Sequence, residues 1–206
     1  MKSDTGNVEN NLEDSWKSPE VFKKQLELNL RELQSHETYP EHWKITLSIL
    51  NQVKPSAILD IGCGCGSFFK VCKDNLPEME YFGCDYSSDA INLAKETWGT
   101  NNFFVKDALK LQNDDISKYD MIYASALMDV SPIGDVMMNH ILSLGAGSVL
   151  FSRVKTTNKS SYYEKYMAYD EIETCAFYHN INNLVDMFES NGYSYTIVSD
   201  HIYGVK

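Results

Sequence analysis

The sequence contains no long apolar run. A membrane-spanning helix needs roughly 18 or more consecutive apolar residues, and no stretch of the chain approaches that length. The segment from Met1 to Asp14 is polar and acidic, without the apolar core of a secretory signal. We therefore predict that the chain has no membrane partner and that it works in the cytoplasm.

Basic residues are few for a chain of 206 residues. The sequence has 18 Lys and Arg against 29 Asp and Glu, which gives a formal net charge of -11. Nucleic acids and anionic membranes bind proteins largely through counterion release, which requires a basic surface. The composition therefore argues against a nucleic-acid partner and is compatible with a small or cationic ligand.

Cysteine is also scarce, and its number is odd. The five cysteines are Cys63, Cys65, Cys72, Cys84 and Cys175. Cys63 and Cys65 stand one residue apart, but no second Cys or His pair follows at the spacing of a zinc site. We predict no metal site and reduced thiols, as expected in the cytoplasm.

The chain has no internal repeats and no low-complexity linker, so its length predicts one domain with a short appendage. Residues 1–18 are rich in polar residues and are expected to be flexible. The Ser-Pro-Glu sequence at 18–20 predicts the start of an N-terminal cap helix, assigned to 19–40. The main domain is assigned to 41–206, with an insertion or lid on the substrate side at 155–177.

Apolar strand-like runs alternate with helical periodicity after residue 56. The run at 57–61 is continuous and apolar, which is typical of a strand buried on both faces. Further strands are predicted at 81–84, 102–105, 119–123, 147–154, 193–198 and 201–205, and helices at 67–75, 88–98, 132–144 and 182–190. This alternation predicts a mostly parallel, doubly wound α/β sheet with helices on both faces.

A glycine-rich loop follows the first predicted strand. Asp60, Gly62, Gly64 and Gly66 form the pattern D-x-G-x-G-x-G. Glycines allow a sharp turn and close approach of a ligand to the main chain, and amides at a helix start favour a negative group. Dinucleotide sites usually read G-x-G-x-x-G, whereas the third glycine comes one residue earlier here.

The pattern resembles the first motif of the class I S-adenosylmethionine-dependent methyltransferases, and the resemblance extends over roughly residues 40–154. In that family an acid ending the second strand binds both ribose hydroxyls, which corresponds to Asp85, and Tyr86 would lie against the adenine. An acid or amide after the third strand lies near the adenine amino group, which corresponds to Asp107 beside Ala108. Ala124 lies on the fourth strand, which in the family carries the methionine end of the cofactor and the substrate.

The resemblance implies S-adenosyl-L-methionine as cofactor and S-adenosyl-L-homocysteine as product. It also implies a seven-stranded Rossmann-like sheet whose last strand is antiparallel, with an N-terminal helical cap. In small members of the family such helices often cover the cofactor, which would bring Tyr39 near the methionine carboxylate. The expected cofactor-binding residues are Tyr39, Asp60, Gly62, Cys63, Gly64, Gly66, Asp85, Tyr86, Asp107, Ala108 and Ala124.

The implied activity is methyl transfer to a small molecule, and we favour an oxygen of a metabolite or a sugar. The Asn-Pro-Pro-Tyr-like tetrapeptide of many methyltransferases that modify amino groups of DNA and protein is absent, since residues 124–127 read Ala-Ser-Ala-Leu. Two other functions stay open at this point. One is a catalytically silent, cofactor-binding partner subunit of another methyltransferase, and the other is a small NAD-dependent dehydrogenase.

Two residues are candidates for a general base, which is required only if the acceptor is a hydroxyl. Asp129 follows the fourth predicted strand, where many relatives carry a His. His179 is expected at the entrance to the last helix, and its usual pKa near 6.5 suits proton transfer. A helix cap or a surface residue is the alternative interpretation of His179.

Two apolar patterns have two interpretations each. Tyr162, Tyr163, Tyr166 and Tyr169 recur at three- and four-residue intervals, which predicts one side of a short helix that is either a substrate lid or a satellite hydrophobic cluster. The N-terminal helix carries a set of leucines that could dock on the sheet or form a homodimer contact. These are Leu26, Leu28, Leu30 and Leu33.

Overall fold

The computed structural model describes residues 12, 16, 18–169 and 172–206. The helices are α1 (Pro19–Glu32), α2 (Glu41–Val53), α3 (Ser67–Asn75), α4 (Ser88–Trp98), α5 (Asn113–Ile116), α6 (Gly134–Ser143) and α7 (Ile181–Ser190). Of the segment expected to be flexible, 1–18, only Leu12, Trp16 and Ser18 belong to the described residues. None of the described helices has the length and apolar character needed to cross a bilayer.

The strands form two sheets. They are β1 (Ala57–Ile61), β2 (Glu80–Asp85), β3 (Phe103–Val105), β4 (Met121–Ser125), β5 (Ser148–Ser152), β6 (Lys155–Thr157), β7 (Tyr162–Ala168), β8 (Ile172–Asn180), β9 (Ser194–Val198) and β10 (His201–Val205). The larger sheet has seven strands in the order β3-β2-β1-β4-β5-β10-β9. β1 to β5 pair in parallel, and β10 is antiparallel to both β5 and β9. This topology confirms the predicted doubly wound sheet with an antiparallel last strand.

Alternate residues of β1 face two separate cores, because side chains of a strand point to opposite faces in turn. Ile58 packs with α2, α3 and α4 on one face, through Leu50 and Val71 among others. Leu59 and Ile61 pack with α6 and α7 on the other face. Since all three β1 side chains are fully buried, the strand is fixed in register between the two helical layers.

The tyrosine segment is a strand and not the predicted short helix. β7 pairs with β8 over seven residue pairs, from Tyr162↔Tyr178 to Ala168↔Ile172, and β6 pairs with the other edge of β8. In a strand a four-residue interval also places two side chains on one face, so the spacing of Tyr162 and Tyr166 fits both structures. The long ladder with β8 decides between them, because aromatic residues favour strands and the seven residue pairs provide backbone hydrogen bonds that an isolated short helix would lack.

His179 also differs from its predicted place. It lies inside β8 and is fully buried, whereas it was expected at the entrance to the last helix. That position belongs to Asn180, whose side-chain oxygen accepts hydrogen bonds from the amides of Asn182 and Asn183, both at 3.0 Å. Asn180 therefore caps α7, and His179 is a core residue of the smaller sheet.

Candidate functional site

A cavity of about 520 Å³ lies where the parallel strands β1 to β5 end, and its volume is in the usual range for small-molecule sites. Residues that follow each of these strands contribute to its wall, together with α1 and the smaller sheet. The wall comprises Trp16, Phe22, Gln25, Gly62, Gly64, Asp85, Tyr86, Lys106, Asp107, Ala108, Leu109, Ala126, Leu127, Val130, Ser131, Met137, Arg153, Tyr166, Met167, Ala168 and Tyr169. Six of the sequence-predicted residues are therefore brought together: Gly62, Gly64, Asp85, Tyr86, Asp107 and Ala108.

The loop after β1 presents bare backbone to the cavity. Gly62, Gly64 and Gly66 have φ of 76°, 53° and 73°, in the left-handed region that favours glycine. A Cβ on Gly62 would lie 2.9 Å from a methyl carbon of Leu127, so the backbone and this wall residue are in close approach. Gly66 is off the wall, since a Cβ there would lie 2.6 Å from the ring of Phe103 in the core.

The amides of this loop are already used within the protein. The N–H groups of Gly62 and Cys63 donate to the Cys84 carbonyl at 2.8 and 3.0 Å. The Gly64 N–H donates to Oδ2 of Asp85 at 3.0 Å. The expected anion-binding role is therefore not available to these amides, and the loop offers little to a pyrophosphate.

Asp85 is the buried acid of the cavity wall. Its Oδ1 accepts from the Ser87 amide at 2.9 Å, and its Oδ2 accepts from the Gly64 amide. Burial raises the pKa of the Asp85 carboxyl, and these two backbone hydrogen bonds oppose that rise. The Tyr86 backbone also donates to this carboxylate, and since a carboxylate has about four lone-pair sites the group can still accept from a ligand hydroxyl. Tyr86 lies next to it on the wall.

The end of β3 supplies a second acid and a cation. Asp107 Oδ1 accepts from the Leu109 amide at 3.0 Å and so caps the short 3-10 turn that begins at Ala108. The Lys106 ammonium lies 2.8 Å from Oδ2 of Asp115 and is paired there. This part of the wall therefore carries one partly exposed carboxylate and a cation that already has a counter-ion.

Asp60 and Cys63 lie behind the wall. Asp60 is fully enclosed and accepts a hydrogen bond from the Tyr81 hydroxyl. Burial raises its pKa to about 8, although the Tyr81 hydrogen bond opposes that shift. Burial also raises the pKa of the Cys63 thiol, with Asp60 and Asp85 adding to the effect. The thiol is therefore a neutral filler and no nucleophile.

Tyr39 and Ala124 are also absent from the cavity wall. Tyr39 is buried against Trp43, with ring centroids 5.8 Å apart, and its hydroxyl accepts from the Asn75 amide at 3.4 Å. Ala124 is fully buried inside β4. The predicted cap helix, α1, borders the cavity through Phe22 and Gln25, whereas Tyr39 does not reach it.

The ends of β4 and β5 form the wall opposite the two acids. Ala126 and Arg153 follow these strands with φ of 51° and 65°, a region that non-glycine residues rarely adopt. Both line the cavity. Tyr166, in β7, and Tyr169, which follows β7, line it as well. Sequence reasoning missed Arg153. It lies inside the predicted strand 147–154, whereas the observed β5 ends at Ser152, so no local signal marked it as a site residue.

Asp129 and His179 are both buried beside this end of the cavity and do not line it. Asp129 Oδ2 lies 3.9 Å from the Arg153 guanidinium. Burial raises the Asp129 pKa, and the charge of Arg153 opposes the rise. His179 Nδ1 lies 2.6 Å from Oδ1 of Asp135, while no described residue hydrogen-bonds to its buried Nε2. A role for either as base therefore stays a prediction.

A second polar cluster has serine, histidine and aspartate in the order of a hydrolytic triad, but its serine and histidine are closed off from solvent. Ser152 Oγ lies 2.9 Å from Nε2 of His201, and His201 Nδ1 lies 2.8 Å from Oδ1 of Asp200. The same Nε2 is 3.1 Å from the Thr46 hydroxyl. Ser152 is 1% exposed and His201 is fully buried, so no substrate reaches the serine. The cluster ties α2 to β5 and β10.

Known proteins share this domain. Residues 59–141 match the family described as a methyltransferase domain. Malonyl-[acyl-carrier protein] O-methyltransferase 2 of Ilyobacter polytropus is 32% identical over 112 residues, which are 52% of this chain and 41% of that protein. Ribosomal RNA small subunit methyltransferase C of Photobacterium profundum is 33% identical over 98 residues, 46% of this chain and 29% of that protein. The matched part thus spans less than half the length of these curated relatives.

A solved structure extends the likeness over the whole chain. Magnesium protoporphyrin IX methyltransferase from Synechocystis PCC 6803, crystallised with S-adenosylmethionine, has a TM-score of 0.58 at 15% identity. The alignment covers 100% of this chain and 98% of that one, and at this identity it shows the fold. The matched domain and the strand order, with β10 antiparallel beside β5, lead to one assignment. Residues 59–141 match a methyltransferase domain, and the whole chain has the fold of an S-adenosylmethionine-dependent methyltransferase.

Proposed function

We propose that this chain binds S-adenosylmethionine in the cavity at the ends of β1 to β4 and transfers its methyl group to an oxygen of a small molecule. The observation that carries the proposal is the Asp85 carboxylate, which is held on the wall by the Gly64 and Ser87 amides. When bound, the cofactor supplies an electrophilic methyl group on a sulfonium.

The wall residues fit the ribose, the adenine and the amino-acid end of this cofactor. Asp85 would accept a hydrogen bond from the ribose hydroxyls, and Tyr86 would offer a ring face to the adenine. Asp107 and Ala108 border the adenine edge after β3. The bare backbone at Gly62 and Gly64 leaves room for the amino-acid end. A dinucleotide fits less well, because the loop amides that would bind its pyrophosphate already donate to Cys84 and Asp85.

The acceptor would lie beyond the ends of β4 and β5. Ala126, Val130, Tyr166 and Tyr169 border this part of the cavity. The main task of these residues is to hold the acceptor oxygen in line with the methyl carbon and the sulfur. Such alignment alone can supply on the order of 7–11 kcal/mol of the acceleration. If the acceptor is a hydroxyl, Asp129 is the candidate base that already contacts a wall residue, Arg153.

A small acceptor is favoured over a nucleic acid by the charge of the chain. The net charge is -11, and Lys106, one of the cations on the wall, is paired with Asp115. A polyanion would meet few free cations at the cavity mouth. The Photobacterium relative is named for ribosomal RNA, so RNA belongs in any acceptor screen as a competing outcome.

Calorimetry with Asp85→Asn tests the cofactor site. We expect S-adenosylhomocysteine to bind the wild type and to bind Asp85→Asn roughly ten- to a hundredfold more weakly, since charge-assisted hydrogen bonds to the ribose are lost. The matched control is Glu96→Gln, which removes one exposed acid in the last turn of α4 and should bind like the wild type. Tight binding of NAD and none of S-adenosylhomocysteine would contradict the proposal.

A further inference from the structure

A single guanidinium marks the acceptor end of the cavity. The cations on the described part of the wall are Lys106 and Arg153, which follow β3 and β5, the two outer strands of the parallel part of the sheet. Lys106 is paired with Asp115 at 2.8 Å. The Arg153 side chain remains 41% accessible and lines the cavity with its charge. The two cations therefore have different surroundings, and only the first has a close counter-ion within the described residues.

The charge of Arg153 is poorly matched by its neighbours. Its one ion-pair contact within the described ranges is to Asp129 Oδ2 at 3.9 Å, which is too long for a hydrogen bond. Asp129 is itself almost fully buried, and at 3.9 Å its carboxylate makes no direct hydrogen bond to the guanidinium. A guanidinium has five N–H donors in a planar fork, and none of them donates to a described residue. The fork is therefore available to a ligand.

The place of Arg153 in the sheet separates it from the proposed cofactor contacts. Across the sheet, Asp107 follows β3, Asp85 follows β2, Gly62 follows β1, Ala126 follows β4 and Arg153 follows β5. The adenine and ribose contacts thus occupy one end of the row, and Arg153 occupies the other.

The smaller sheet completes the surroundings of the guanidinium. Tyr166 and Tyr169 line the same end of the cavity, and burial raises the pKa of both phenols while the Arg153 charge opposes the rise. Phenol groups and a guanidinium together form a set of hydrogen-bond donors with no competing carboxylate on the described wall at that end.

We propose that Arg153 binds a carboxylate of the methyl acceptor, so that the substrate is a small organic acid. This inference rests on the proposed function and names its substrate class. A guanidinium binds a carboxylate through two parallel hydrogen bonds, which fixes orientation as well as charge. A carboxylate fits better than a phosphate because one guanidinium beside Asp129 offers a single positive charge, which a monoanion balances and a dianion exceeds.

A carboxylate could also come from the cofactor's own amino-acid end, and two ligands distinguish these sources. S-Adenosylhomocysteine carries that carboxylate, whereas 5′-methylthioadenosine lacks the whole amino-acid end. We expect Arg153→Gln to bind both ligands within about twofold of the wild type by calorimetry. Weaker binding of S-adenosylhomocysteine alone would assign the guanidinium to the cofactor and overturn the inference.

The second arm measures methyl transfer to matched acceptors. Small carboxylic acids and their neutral amides, all carrying the same hydroxyl or amine groups, are screened by release of S-adenosylhomocysteine. We expect the wild type to methylate an acid and to prefer it to its amide. Arg153→Gln should lower kcat/KM for that acid roughly ten- to a hundredfold and lose the preference, and Arg153→Lys should recover part of it. Lys159→Gln, which removes an exposed cation off the wall, is the control and should match the wild type.

The outcomes separate this inference from the proposed function. If the wild type binds S-adenosylhomocysteine and methylates neutral acceptors as well as acids, or if Arg153→Gln keeps full activity on acids, the carboxylate assignment is wrong and the methyltransferase assignment stands. If the wild type binds no S-adenosylhomocysteine, the proposed function itself fails. Retained binding of S-adenosylhomocysteine by Arg153→Gln shows that the variant is folded.

Discussion

Asp60 is a buried carboxyl group whose ionisation is unfavourable in the folded protein. Burial raises its folded pKa to about 8 from a usual 3.8. Between these values the folded chain keeps a proton that the unfolded chain releases, so this group makes stability fall as pH rises from about 4 to 8. We predict that the change in the free energy of unfolding caused by Asp60→Asn is more stabilising at pH 8 than at pH 5. The difference should be on the order of a few kcal/mol.

Urea unfolding of both proteins at the two pH values measures this difference. Asparagine still accepts a hydrogen bond from the Tyr81 hydroxyl, so the exchange removes the ionisation and little else. Glu96→Gln, on the exposed face of α4, serves again as the control for loss of an acid. Equal effects of Asp60→Asn at pH 5 and pH 8 would show that Asp60 titrates normally in the folded chain.

Individual residues of the site could be predicted only where a motif marks them. The glycine pattern and the acids after β2 and β3 lie next to strand ends that the sequence reveals, so Gly62, Gly64, Asp85 and Asp107 were found. Gln25 and Arg153 reach the wall through long-range folding, and no local spacing distinguishes them from surface residues. Tyr39 shows the reverse case, since its apolar neighbours in the core hold it away from the cavity.

At the scale of elements, the loop between β1 and α3 depends on glycine for packing as well as for its turn. We predict that Gly66→Ala lowers the free energy of unfolding by about 2–4 kcal/mol, because the new methyl group meets the Phe103 ring at 2.6 Å and the backbone has a φ of 73°. Gly99→Ala is the matched control, because its φ is 62° and its added Cβ has no neighbour within 4 Å. It should cost about 1–2 kcal/mol from backbone strain alone. Similar losses for both variants, measured by urea unfolding, would argue against the close packing at Gly66.

The elements that the sequence predicted well are those with local signals at both ends. β1 is a continuous apolar run that ends at the glycine loop, and α3 and α4 match their predicted bounds because glycine or serine precedes them. β7 was mistaken for a helix because its tyrosine spacing is compatible with both periodicities. Its ladder with β8 is a tertiary contact, and such pairing leaves no signature in a local window.

At the scale of the whole molecule, the packing of α2 against the sheet creates a pH-dependent contribution to stability. Burial lowers the pKa of His42 to about 4, and the charges of Arg153 and His201 add to the shift. Between pH 6.5 and about 4 the unfolded chain takes up a proton that the folded chain does not, so stability from this group is lost as pH falls through that window.

We therefore predict that lowering the pH from 7 to 5 reduces the thermal stability of His42→Gln less than that of the wild type. Thermal unfolding at the two pH values, followed by circular dichroism, gives the comparison. His36→Gln is the matched control, because His36 is an exposed histidine in the 3-10 turn just before α2. It should follow the wild type. A His42→Gln variant that loses as much stability as the wild type would show that His42 is protonated in the fold.

The acceptor wall formed by Tyr166 and Tyr169 belongs to one continuous stretch of chain. β6, β7 and β8 leave the larger sheet after β5 and return to it through α7, and their own ladder forms a separate three-stranded sheet. Substitutions in this stretch would therefore change the proposed acceptor end of the cavity and leave unchanged the ends of β2 and β3, where we propose the ribose and adenine contacts. In evolutionary terms, if the proposed function holds, the smaller sheet makes the choice of substrate a separately heritable trait, which can diverge between descendants while the larger sheet is kept.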